Sequence, residues 1–328
     1  MLARVAESLY WMARDLERAV AVPRLLEVGH ATSLEGDLSN GAGRRQVWEP
    51  VLGIAGGADR FRGNFRRAEE RSVTWYLTLS DDNPDAVVAC LSRARDRARA
   101  VRDRLPTEVF EAIGAARVGA LAWEPRRIAR EGLYAFCHEV RGAVARVDGT
   151  IDRGVRRDEL WHFLCLGRAL ERATQTVRLL IEYRNLAGAS DAEAVGLGDW
   201  RTALRAASAY EAFLRVGSGT SLGGAPEAFL LLDHTLPSSV TFSLHEFVTS
   251  LDALKAAGIA STDPRTKAAV LATRRTVAAA AQPSAGDATL ERLAGRLAEV
   301  HDAFAQTFFP DSEGDGRAHA QAVYQAQN

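Results

Sequence analysis

LYWMARDLERAVAVPRLL, residues 9–26, has a counterpart in FLCLGRALERATQTVRLL, residues 163–180. Arg14, Glu17 and Arg18 of the first segment return as Arg168, Glu171 and Arg172 of the second, 154 positions later. At the same step Leu16, Ala19, Arg24, Leu25 and Leu26 match Leu170, Ala173, Arg178, Leu179 and Leu180. Apolar residues Leu9, Ala13, Leu16, Val20 and Pro23 are spaced by three and four, the helical period. The segments therefore read as two helices of one design. The chain as a whole reads as an all-α, internally duplicated bundle with two central Glu-Arg helices.

Helical spacing returns in most later segments and strand alternation is nearly absent. The expected helices lie near 2–28, 48–54, 68–79, 84–105, 107–116, 127–153, 156–183, 199–216, 226–232, 238–257, 264–281 and 288–309. Asp82-Asn83-Pro84 and Asp263-Pro264 place a capping residue before a proline whose missing donor is harmless in the first turn. Gly29–Gly63 and Gly217–Gly224 are the longest expected loops. One helical domain over residues 1–310 is expected, with duplicated halves about 1–150 and 151–310, followed by a flexible tail at 311–328.

On a helix Arg14, Glu17 and Arg18 share one face, largely opposite the stripe from Leu9 to Val20. That charged face continues into Ala21 and Leu25, and in the second copy into Gln175 and Leu179. A solvated face does not turn apolar so soon, so both helices are expected to be covered on two sides. Buried charges must be paired. Arg14 is within reach of Glu17 in its own helix, as Arg168 is of Glu171. The remaining Arg18 and Arg172 are left to cross-pair with the opposite glutamate, or to hold a ligand carboxylate or phosphate. A salt-bridge network that docks the two halves is the preferred reading, with a ligand or catalytic pocket as its alternative. Pro23 removes a backbone donor and is expected to kink the first helix, where the second copy carries Val177.

These residues resemble the alpha-E family, bacterial all-helical proteins named for a Glu-Arg motif, whose members begin much like MLARVAESLYWMARDLERA here. The resemblance extends nearly end to end, through ARDRARAVRD (94–103), LYAFC (133–137) and FLLLDHTLPSSV (229–240). It implies association with circularly permuted ATP-grasp proteins and transglutaminase-like proteases, a system that makes and cleaves peptide or amide bonds. Where many relatives carry Pro-Arg-Ser-Val, this chain has Pro237-Ser238-Ser239-Val240. Asp96-Arg97 stands where a Glu-Asn pair is common.

Composition narrows the function further. Of 328 residues, 47% are hydrophobic and 25% charged, with a formal charge of -1, so bulk charge selects neither nucleic acid nor membrane. Lys255 and Lys267 are the only lysines. Cys90, Cys137 and Cys165 are odd in number and lack C-x-x-C spacing, which favours a reducing cytoplasm. No targeting signal or membrane span is expected.

Arg95, Arg99 and Arg102 form a stripe that is read as a salt-bridged face or as a further wall of the central pocket rather than a nucleic-acid track. Cys137, His138, His162 and Cys165 are the residue types of a zinc site, yet adjacent Cys137 and His138 point about 100° apart on a helix, so no metal is expected. Asp233, His234, His245 and Glu246 beside Ser238 and Ser239 lack a nucleophile elbow, and a helix cap is the simpler role for either serine. Tyr10, Trp11, Trp75, Tyr76, Trp123, Tyr134, Phe136 and Trp161 read as packing residues.

No cofactor is called for, since no phosphate loop or metal signature accompanies the charges. The expected role is a helical partner or substrate-handling component of an ATP-grasp-dependent peptide or amide ligase system. Its expected anion-binding cleft is lined by Arg14, Arg18, Arg168, Arg172, Arg95 and Arg99, and its substrate is a small anion or peptide. Two alternatives stand beside it. The chain is an enzyme in its own right with Glu17 or Glu171 as general base, or it is a helical scaffold alone.

Overall fold

Two long helices, α1 (Ala3–Glu35) and α9 (Glu159–Gly188), lie side by side at the centre of the protein. A computed structural model describes residues 2–35, 47–188, 200–216, 225–259, 264–282 and 284–309, and among them every regular element is a helix. Gly167 abuts Tyr10, Arg14 bonds Glu171, Arg172 bonds Glu17, and Leu25 and Leu179 line the same crevice. Residue numbers rise together along the two helices, so they run parallel.

Between them in the chain come α2 (Trp48–Ala55), α3 (Ala58–Asn64), α4 (Glu70–Thr78), α5 (Val87–Ala100), α6 (Thr107–Leu121), α7 (Pro125–Glu131) and α8 (Leu133–Gly154). After α9 follow α10 (Trp200–Ala206), α11 (Tyr210–Val216), α12 (Pro226–Leu232), α13 (Val240–Ala256), α14 (Pro264–Ala280) and α15 (Asp287–Phe308). Antiparallel α5 and α8 pack on α1, while antiparallel α13 and α15 pack on α9. α6 bridges α5 and α8, and α14 joins α13 and α15.

This cover explains the composition of the central helices. From Leu9 to Leu16 every side chain of α1 is buried, Arg14 and Asp15 included. Burying a Leu, Met or Phe contributes roughly 1.5–3 kcal/mol, and Leu9, Met12, Leu26, Phe163, Leu166 and Leu180 are all essentially solvent-free. Tyr10 anchors an aromatic cluster with Trp11, His301, Phe304 and Phe309. Tyr134, expected as packing, is exposed instead.

Several boundaries differ from those expected, each for a local reason. α1 runs past its expected end at Val28 to Glu35, with Pro23 inside it, because tertiary packing on both sides retains a helix that has lost one backbone bond. The expected 29–63 loop therefore shrinks: its start belongs to α1, its end holds α2 and α3, and residues 36–46 fall outside the described residues. So do Gly217–Gly224, Asp263 and the 311–328 tail. The expected 127–153 helix divides into α7 and α8 at Gly132, whose φ of +92° breaks the helical path. The 199–216 helix divides at Ser208, φ +53°. α5 starts at Val87 rather than at Pro84, because the Asn83 side chain holds the preceding turn, donating to Tyr76 O and accepting from Asp85 N. Among the described residues no helix is long and apolar enough to cross a membrane.

Candidate functional site

Glu171 is completely buried and accepts four hydrogen bonds. Its Oε2 takes Arg14 Nε at 2.8 Å and Arg18 Nη2 at 2.9 Å. Its Oε1 takes Arg18 Nε at 2.9 Å and Gln175 Nε2 at 2.8 Å. A carboxylate offers about four acceptor positions, so none is left for a substrate or water. Burial alone would raise the Glu171 pKa, but Arg18 and Arg14 outweigh it and hold the carboxyl well below the usual range.

The reciprocal pair joins Arg172 to Glu17, with Nε to Oε1 and Nη2 to Oε2 both at 2.9 Å, a two-pronged contact nearer the surface. The within-helix pairings expected from sequence do not form. Arg14 bonds Glu171 rather than Glu17, and Arg168 turns away to Asp148 at 3.0 Å. The close packing of α1 on α9 brings Glu171 within reach of Arg14, whereas α8 supplies Asp148 to Arg168.

Three acids complete the lattice, and sequence reading missed them. Asp15, buried, accepts from both Arg93 and Arg97 of α5. Asp85 accepts from Arg18 Nη1 at 2.7 Å. Asp148 of α8 holds Arg168. The signal for Asp85 lay in Pro84-Asp85-Ala86-Val87, which has the same layout as Pro237-Ser238-Ser239-Val240 at a step of 153 positions. Ser238 lies beside α9, its carbonyl accepting from Thr176.

Arg95 and Arg99 do not join this cluster. Arg95 stacks on Phe110, 3.4 Å from the ring centroid, and donates to Phe110 O, while Arg99 is exposed. α5 turns Cys90, Ala94 and Ala98 inward, and that orientation aims Arg93 and Arg97 at α1 and carries Arg95 to α6. Of the arginines expected to line a cleft, Arg14, Arg18 and Arg172 are brought together. All three are neutralised by the chain's own carboxylates.

Behind Arg14 a second polar chain runs to α15. Arg14 donates to the Tyr10 oxygen at 3.3 Å, so the Tyr10 hydroxyl proton is free to go to His301 Nδ1 at 2.9 Å. His301 is therefore neutral, with its proton on Nε2. Burial pushes the Tyr10 hydroxyl up to about 12. Burial, followed by the charge of Arg14, lowers His301 to about 3.

A pH dependence follows. His301 has a folded pKa below its unfolded value of about 6.5, so its contribution to stability is complete above about pH 6.5 and is lost progressively toward pH 3. Between pH 6.5 and 5 the loss should be about 2 kcal/mol in urea denaturation, at about 1.4 kcal/mol per unit, with a smaller share from His162, which burial also lowers. His301→Asn should flatten this slope. An unchanged slope in that variant would refute the assignment.

Two partly buried arginines of the central helices remain over. Arg24 and Arg178 lie seven residues beyond Glu17 and Glu171, and among the described residues neither has a hydrogen bond or ion pair. The other constellations disperse. Ser239 is the cap of α13, accepting from Phe242 N at 3.0 Å. His138 stacks on Tyr134, and no group of three or more His, Cys, Asp or Glu among the described residues is placed to hold a metal.

A family model described as "a predicted alpha-helical domain with a conserved ER motif" matches residues 1–309, a span that includes both Glu-Arg dipeptides. No curated protein and no solved structure matches the chain.

Proposed function

Because the chain belongs to the Alpha-E family, we propose that it is a non-hydrolytic helical partner, or substrate-handling component, of an ATP-grasp-dependent peptide or amide ligase system in the bacterial cytoplasm. Its partners on this reading are an ATP-grasp protein and a small anionic or peptide substrate, with neither nucleic acid nor membrane involved. The ATP-grasp partnership rests on the family resemblance. The non-catalytic role rests on one observation of geometry, the engagement of both Glu-Arg glutamates by arginines of the opposite helix, which with Gln175 fills every acceptor position of Glu171 and grips both oxygens of Glu17.

A general base needs a free lone pair and a pKa near the working pH. Glu171 has neither, because its acceptor positions are filled and Arg18 and Arg14 make it a weaker base. Glu17 is less enclosed but is gripped on both oxygens by Arg172. The lattice does what a rigid partner requires, fixing α1 against α9 so that the surfaces built on them keep a constant shape.

The test mixes the purified chain with an ATP-grasp protein of the same genome, ATP and amino acids, and follows complex formation and amide product. A complex with raised ligation is expected, with no turnover by the chain alone. Glu17→Gln should leave ligation by the assembled system within about twofold, since a true general base contributes about 10²–10⁴-fold. Failure to form a complex, or turnover by the chain alone that Glu17→Gln abolishes, would overturn the proposal.

A further inference from the structure

Glu171, Gln175 and Arg178 fall at i, i+4 and i+7 on α9 and so lie along one face. Gln175 belongs to the Glu171 carboxylate, whereas no group among the described residues bonds the Arg178 guanidinium. Its charged neighbours are Glu171, Arg18, Asp85 and Arg14. Both of those carboxylates are already engaged, Glu171 by Arg14 and Arg18, and Asp85 by Arg18. Burial is the chief cause that lowers the Arg178 pKa, while among the charges Glu171 and Asp85 act to raise it and Arg18 and Arg14 to lower it.

The neighbouring backbone is shaped around this side chain. Arg178 lies against Gly56, the C-cap of α2, with φ of +82°. A methyl group placed on Gly56 would stand 2.7 Å from Arg178 Nη1 and 3.2 Å from Cζ. The negative end of α2 makes a cation tolerable there, but among the described residues it supplies no acceptor within bonding distance. Glu182, one turn further on, does not fill the gap. Its carboxylate lies over Gly53, 2.9 Å from Oε2 to a methyl placed there, so the two side chains diverge onto successive turns of α2.

Arg24, at the matching place on α1, is a different case. Its Nε is buried without a partner, but so is Glu27 Oε1, three residues along the same helix, and a change of rotamer lets that pair satisfy itself. The carboxylate one turn from Arg178, that of Glu182, has no ion pair among the described residues but is turned to Gly53 rather than to the guanidinium.

We propose that Arg178 is the receiving group of an oxyanion site between α2 and α9, where its guanidinium fork takes a carboxylate or phosphate supplied by a ligand. A fork of N–H donors matches both oxyanions in two-pronged geometry, and Glu171 and Asp85, already held by Arg14 and Arg18, are not competing for it. This deepens the substrate-handling reading by locating where an anionic group docks. It concerns the chain alone, so it stands or falls independently of any ATP-grasp partner.

The experiment uses the full chain without ATP, titrated calorimetrically and by thermal melting with inorganic phosphate and with N-acetylglycine, a peptide-carboxylate mimic, at constant ionic strength in chloride. Saturable binding of at least one of them is expected, and the preferred one identifies the ligand's source. Arg178→Gln should weaken binding at least tenfold, while Arg178→Lys retains part of it and Arg99→Gln, an exposed arginine on α5, leaves it unchanged. In the absence of oxyanion Arg178→Gln should melt no lower than the parent, which separates loss of binding from loss of folding. Absence of saturable binding to either anion, or equal binding by parent and Arg178→Gln, overturns the site.

Discussion

Glu171→Ala is expected to destabilise the protein by roughly 3–5 kcal/mol, because it strips two buried guanidinium groups of their counter-charge at once. Arg18 would keep Asp85, but Arg14 would be left with only the Tyr10 hydroxyl. Glu171→Gln should fall between, since an amide oxygen accepts one donor group while its NH2 faces the other arginine. Glu17→Gln should cost much less, about 1 kcal/mol, because the Glu17–Arg172 pair keeps 14% and 27% of its side-chain surface in contact with water. Urea denaturation midpoints of the three variants check the order. Equal losses for Glu17→Gln and Glu171→Gln would mean that burial does not set the cost.

Gly167→Ala should be at least as damaging, about 3 kcal/mol or more, although the same change in an exposed helix gains stability. A methyl there would overlap the Tyr10 carbonyl oxygen and stand 3.0 Å from Tyr10 C and 3.2 Å from Ala13 Cβ. The obstacle is the backbone of α1, which cannot swing aside like a side chain, so the central helices must separate and loosen the Arg14–Glu171 contact next to them. Gly142 and Gly149 of α8 supply the control. Neither has an atom within 4 Å of a added methyl, and alanine at either should stabilise by about 0.5–1 kcal/mol. Thermal melts showing Gly167→Ala as harmless as Gly149→Ala would show that the central helices have room to spare.

What sequence could reveal of this arrangement was set by what periodicity encodes. A helix with charges on one face and apolar groups on the other, whose charged face soon turns apolar, has to be enclosed, and that reasoning placed α1 and α9 in contact. Periodicity does not say which neighbour meets which face. In α5, Arg93 and Arg97 have the same four-residue spacing as Arg95 and Arg99, and both pairs flank the inward row Cys90, Ala94 and Ala98. Only the packing of α5 against α1 sends the first pair to Asp15. Partner choice within the Glu-Arg motif was equally hidden, because at i, i+3 and i+4 a local bridge looks as available as one across the helix pair. Gly167 passed unnoticed because a glycine that admits a neighbouring backbone looks, in one dimension, like any other glycine in a helix.

The parallel course of α1 and α9 also sets a timetable. During synthesis α1 leaves the ribosome first, yet the glutamate that neutralises Arg14 and Arg18 lies more than 150 residues later, about 8–30 s at ordinary elongation rates. For that interval the nascent chain carries a helix whose circumference is suited to enclosure and to nothing else. It must be sheltered by α5 and α8, whose residues emerge in the meantime, or by a chaperone, until the second half arrives to close over it.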